Sequence, residues 1–208
     1  MSVKKSMYEY EDKYYGEGYK LIAGTDEAGR GSWAGPIVVA MAILPKGYKN
    51  DAIDDSKKLS EEKREILFEQ IIKDALDYNI VFIDAKEVDK LNPKKASILG
   101  MESCIESIKT KPDIVLIDAE HIKSNIKTVS IIKGDAKSIT IAAASILAKV
   151  SRDRYMRSLD KKYPNYYFAK HKGYGTALHL AALKVNSPIE GLHRFSYEPI
   201  KNLLMKRK

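Results

Sequence analysis

Apolar residues follow two spacings along this chain: short unbroken runs, and stripes recurring every three to four positions. The runs at 21–25 and 37–44 predict buried strands, the second rich in β-branched residues. The link between them, 26–36, is too short for a crossover helix and predicts an antiparallel pair. Ser60, Glu61 and Glu62 mark a capped helix start, and Leu67, Phe68, Ile71, Ile72, Ala75 and Leu76 form its inner face. A third strand is expected at 79–84, and Asn92-Pro93 opens another helix whose apolar positions include Met101 and Cys104. The run 114–117 reads as a fully buried strand ending in Asp118, followed by a short strand at 128–132. Beyond Lys133-Gly134-Asp135 the longest helical signal runs from Ser138 to about residue 160. Its first half is nearly all apolar or small, which predicts a helix packed close to a sheet. An aromatic loop then leads to Gly173-Tyr174-Gly175, a helix at about 177–186 and a short amphipathic tail.

Antiparallel candidates first, then strands separated by helices, predict an α/β fold: a mixed central sheet flanked by helices, with a small helical C-terminal region. The expected organisation is an N-terminal arm (1–19), a main domain (20–186) and a C-terminal tail packed on or beside it (187–208).

Composition narrows the partners. Hydrophobic residues make up 44% and charged residues 31%, as in a soluble globular chain. No apolar run approaches the roughly 20 residues a bilayer requires, and the polar start has no signal-peptide character. A single cysteine, Cys104, excludes an internal disulfide and fits a cytoplasmic location. Lys and Arg number 36 against 28 Asp and Glu, a net charge of +8, which favours a phosphate-rich partner.

Against that basic background four acids fall at or near strand ends: Asp26, Glu27, Asp118 and Asp135. Ligands of such sheets gather beyond the carboxyl ends of the strands. Strand neighbours lie about 4.8 Å apart, so Asp26 and Asp118 come within reach of one ion if their strands are adjacent. An all-oxygen set selects Mg2+ or Mn2+ over zinc, and two such ions suit phosphodiester hydrolysis. The structural alternatives are two solvated acids in a hairpin turn, a strand-ending cap at Asp118 and a helix-start acid at Asp135.

Wider motifs decide between these readings. Gly24-Thr-Asp-Glu-Ala-Gly-Arg-Gly, Ala34-Gly-Pro, Asp55-Ser-Lys-Lys-Leu-Ser, Leu116-Ile-Asp118 and Lys133-Gly-Asp135-Ala-Lys-Ser occur in order. So do Ile141-Ala-Ala-Ala-Ser-Ile-Leu-Ala-Lys-Val, Arg152-Asp-Arg, Gly173-Tyr-Gly-Thr and His193-Arg. From about residue 20 to 200 the chain resembles bacterial ribonuclease HII, of the type 2 ribonuclease H family. The resemblance implies a ribonuclease H-like fold and an endonuclease that cuts the RNA strand of RNA–DNA hybrids. It also implies nicking 5′ of single ribonucleotides in duplex DNA, leaving 5′-phosphate and 3′-hydroxyl ends. Its metal-binding acids match Asp26, Glu27, Asp118 and Asp135. Its Gly-Arg-Gly motif matches Gly29, Arg30 and Gly31, and its motif tyrosine Tyr174; in the family these read the 2′-hydroxyl, the one group that separates RNA from DNA locally.

Lys57, Lys149 and Arg152 are candidate phosphate contacts, with solvated surface charge as the alternative for each. His171 is a further candidate for phosphate; none of the four histidines is assigned to catalysis. The family usually has Pro-Leu after Gly-Arg-Gly, where this chain has Ser32-Trp33; Trp33 reads first as a hydrophobic filler, with duplex contact as the alternative. The rival functions are a catalytically silent nucleic-acid-binding protein and a DNA-directed, transposase-like nuclease. A monomer without a protein partner is expected.

Overall fold

The computed structural model describes residues 7–205; arm residues 1–6 and tail residues 206–208 lie outside the described residues. The tyrosine-rich arm forms a short helix, α1 (Glu9–Gly16), whose Tyr14 is buried against Ile22, Ile114 and Ile141.

β1 (Ile22–Ala28) is longer than its apolar residues alone would make it. Asp26, Glu27 and Ala28 stay in the ladder because β2 (Ile37–Ile43) supplies Ala40, Val39 and Val38 as antiparallel partners. On its other side β1 runs parallel to β4 (Ile114–Asp118), and that pairing ends at Thr25 and Ile117. The outer strands are β3 (Asp77–Ile83), antiparallel to β2, and β5 (Lys127–Ile131), parallel to β4. The sheet order is therefore β3-β2-β1-β4-β5. Antiparallel pairing continues past the point where parallel pairing stops, and the acids sit in that fork.

Alternate residues of β2 face two cores. Ala40 and Ala42 join the cluster under α2 (Glu61–Asp74), while Val39, Met41 and Ile43 face the opposite cluster. Ser60 caps α2 as expected, accepting the Lys63 N–H, and Leu67, Phe68 and Ile71 are buried. Leu76 departs from the predicted stripe: the helix ends at Asp74, and Leu76 is 52% exposed. The short α3 (Ala85–Leu91) escapes prediction, because burying only Ala85 and Val88 leaves no visible period. α4 (Pro93–Ser107) is capped by Asn92 and places Cys104 in the core, where burial pushes the thiol up to about 12.

The long helix α5 (Ile139–Lys162) starts at Ser138, as its sequence indicates. It lies so close to β1 that a Cβ at Gly24 would fall 2.2 Å from the Thr140 carbonyl carbon. Glu11 of α1 is buried at its start and accepts hydrogen bonds from Ser138 and Thr140. Beyond it, α6 (Phe168–His171), α7 (Ala177–Asn186) and α8 (Glu198–Met205) gather with Trp33 and Met156 in a separate apolar cluster. No helix among the described residues is long and apolar enough to cross a membrane.

Candidate active site

One cavity of about 260 Å³ is lined by Asp26, Glu27 and Asp118 together with Gly29, Arg30, Gly31, Lys57, Lys149 and Tyr174. Residues from distant segments of the chain therefore converge at the fork in the sheet. A larger cavity of about 470 Å³, beside Lys111 and Lys123, shares none of these residues.

The acids are held in unfavourable surroundings. Asp26 is 5% exposed; burial, then the neighbouring Glu27 and Asp118, push its carboxyl well above the usual carboxylate range. Burial raises Glu27 to about 7, against the pull of Arg30, and also raises Asp118. Each of three acids leans on a local donor: Asp26 on the Glu27 N–H (2.7 Å), Asp118 on the Gly134 N–H (2.6 Å), and Asp135 on Lys57 Nζ (2.8 Å). No three His, Cys, Asp or Glu side chains form a closed metal-ligand cluster among the described residues. The donor set nevertheless fits a hard divalent cation: it is all-oxygen and mutually repelling, and Asp26, Glu27 and Asp118 stay raised despite their local donors, so added positive charge would stabilise the charged form. Asp135 reaches this group through Lys57 rather than by lining the cavity.

The Gly29–Pro36 turn is shaped by two buried arginines. Gly29 has φ +94°, and a Cβ there would lie 2.0 Å from Arg152 Nε. Arg152 is wholly buried and donates to Pro36 O, Lys172 O, Ala34 O and the Ser32 hydroxyl. This departs from the expected phosphate contact: the guanidinium spends its donors on loop oxygens, and burial lowers its pKa to about 10. Arg194, also wholly buried, donates to Gly35 O and Arg30 O from the other side. Ser32 acts as a hinge pin, accepting from Arg152 and donating to Gly29 O. A Cβ placed on Gly31 would meet no heavy atom within 4 Å, so its smallness serves no internal packing.

Tyr174 comes to the cavity with Arg152 beneath its ring, 5.1 Å from the centroid, and Lys149 at 5.9 Å. Lys149 is paired with Asp153 at 2.7 Å and Lys57 with Asp135 at 2.8 Å, but the Lys57 side chain is 77% exposed against 24% for Lys149. Trp33 fills space under this loop: its ring would meet a Cβ at Gly175 within 2.2 Å and lies 5.6 Å from His179. His171 is buried, donating to Tyr166 O and accepting from the Gly173 N–H, which removes it from phosphate contact.

Glu120, Ser97, Ser56 and Ser145 are site neighbours that sequence reasoning misses. Ser56 and Ser145 share a 2.9 Å hydrogen bond at the cavity wall. Both stand inside motif blocks, which is the available signal; Glu120 and Ser97 carry none.

Solved structures place this architecture in the ribonuclease H-like class. Ribonuclease H2 from Pyrococcus horikoshii aligns with a TM-score of 0.75 at 26% identity, covering 90% of this chain and 99% of that one. The Bst-RNase HIII structure in complex with Mn2+ shares the fold at 18% identity, with a TM-score of 0.72 over 90% of this chain and 70% of that one. The family model described as Ribonuclease HII matches residues 23–199. A curated Ribonuclease HII of Caldicellulosiruptor bescii is 46% identical over 205 residues, covering 98% of both chains. The chain belongs to the ribonuclease HII family.

Proposed function

We propose that this endoribonuclease of RNA–DNA hybrids holds its divalent cations, Mg2+ or Mn2+, with Asp26, Glu27, Asp118 and Asp135. When bound, such ions neutralise phosphoryl oxygens and make water a competent nucleophile near neutral pH. Asp26, Glu27 and Asp118 would hold the ions from the cavity wall, and Asp135, paired with Lys57 beside it, would complete the oxygen set. The exposed Gly31 backbone and the Tyr174 hydroxyl read the 2′-hydroxyl. Lys57 meets the adjoining phosphate, with Lys149 in support. Hydrolysis on the 5′ side of a ribonucleotide then leaves a 3′-hydroxyl and a 5′-phosphate. The carrying observation is the single cavity that joins three mutually repelling acids to Gly31 and Tyr174.

The test offers a duplex with one embedded ribonucleotide, a long RNA–DNA hybrid and an all-DNA duplex, each with Mg2+ or Mn2+. Cutting of the first two with the DNA duplex intact is expected. Equal cutting of DNA would remove the 2′-hydroxyl reading in favour of a DNA-directed nuclease, and binding without cutting would favour a silent binder.

A further inference from the structure

Arg30 is fixed far more tightly than a surface arginine of a glycine-rich turn requires. Its carbonyl accepts from Arg194 and Tyr197. Its guanidinium donates from Nη1 to Glu120 Oε1 at 2.9 Å and from Nε to Ser97 Oγ at 3.2 Å. Ser97 is oriented in turn by its own bond to Pro93 O. The remaining nitrogen, Nη2, lies 3.2 Å from Glu27 Oε1, yet it is buried and makes no aligned hydrogen bond. Arg30 therefore stands between two glutamates and gives its aligned bond to the one outside the metal set.

Glu120 is placed for this. It is 7% exposed, and its second oxygen faces Lys94 Nζ at 3.6 Å. The chain reaches it through Ala119, whose φ of +53° is unusual for a residue other than glycine. A left-handed alanine is sterically strained, so the turn back from Asp118 needs compensation from the contacts it makes. Free arginine forks close on carboxylates in a bidentate grip. An arginine so close to Glu27 would take both its oxygens unless another anion held it.

We propose that Glu120 is a positioning residue of the metal site, holding Arg30 at the rim so that the Glu27 carboxylate stays available to the cation. The inference rests on the assignment of Glu27 as a metal ligand. Partners behind metal ligands typically cost roughly tenfold or more in metal affinity when removed.

The experiment measures Mn2+ binding to the full chain, by electron paramagnetic resonance without substrate, in a double-mutant cycle. Glu120→Gln is expected to weaken binding about tenfold in the presence of Arg30. In an Arg30→Ala background the same change should cost less than about twofold, because the competitor is gone. Equal losses in both backgrounds would mean that Glu120 acts through its own charge, which overturns the proposal; so does no loss at all. If Glu120→Gln does not fold, Ser97→Ala frees the same guanidinium. It should produce a smaller loss that again vanishes without Arg30, and its failure to do so counts equally against the proposal. Glu27→Gln separates the two readings. Unchanged Mn2+ binding in that variant overturns the ligand assignment along with the inference, whereas weakened binding there with a flat Glu120 cycle overturns the inference alone.

Discussion

Two regions of this molecule bury titratable groups, and they do so to opposite ends. In the fork between β1 and β4, burial and mutual repulsion raise the carboxyls of Asp26 and Glu27. Under the Tyr174 loop, burial lowers His179 to about 3 and His193 to about 4, and lowers His171 as well. The histidines are fully served as neutral rings. His193 accepts the Ile189 N–H at Nδ1, so its Nε2–H faces His179 Nε2 at 3.2 Å, and His179 Nδ1–H donates to Tyr174 O. Stacking completes the packing, with the His171 and His179 centroids 4.1 Å apart. The acids enjoy no such closure and open on a cavity. Perturbed titration alone therefore does not mark a functional site; the acids differ from the histidines in their unmet need for charge.

The sharpest way to break this comparison is to neutralise one member of each region. Asp26→Asn should cut turnover at least about a thousandfold, as expected for a central electrostatic group, while hybrid binding and the melting temperature of the metal-free protein are held or raised. Near-normal turnover would remove Asp26 from the mechanism. His179→Ala should do the reverse, lowering stability by roughly 2–5 kcal/mol through the lost packing, with much less effect on turnover of the folded fraction. Denaturant titration beside initial rates checks both.

A pH series sharpens the contrast without mutation. Glu27, raised in the folded state, contributes stability that is complete below its unfolded value near 4.5 and is lost as pH rises through about 7. The histidines, lowered in the folded state, contribute stability present above 6.5 that is lost as pH falls toward 4 and then 3. Added Mn2+ should raise the melting temperature strongly at a pH above the Glu27 value and little at a pH well below it. A metal effect that does not change with pH would break the link to the acids. The smallest expected effect is Ser32→Ala, which removes one oxygen partner of buried Arg152 and should cost about 1–3 kcal/mol in denaturant titration. No measurable cost would show that the remaining carbonyls suffice for that guanidinium.

Much of the architecture is legible in the sequence because local chemistry dictates it. The caps at Ser60, Asn92 and Ser138 and the apolar strand at Ile114–Asp118 depend on neighbours in sequence. Arg152 and His171 mislead for the opposite reason. A polar side chain late in a basic helix, or in an aromatic loop, looks like a surface group until packing brings loop carbonyls around it. Glu120 is invisible because its role depends on Arg30, ninety positions away.

The sequence by itself determined most of the strands and helices, α3 excepted, and it singled out the four acids and the Gly29-Arg30-Gly31 motif, since strand patterning, capping and residue chemistry act over a few positions. Tertiary structure decided which strands are neighbours, and so that Asp26 and Asp118 share one mouth with Tyr174. It also decided that two arginines serve the turn rather than phosphate. Burial and long-range pairing are properties of the folded surface, and no local pattern encodes where that surface closes.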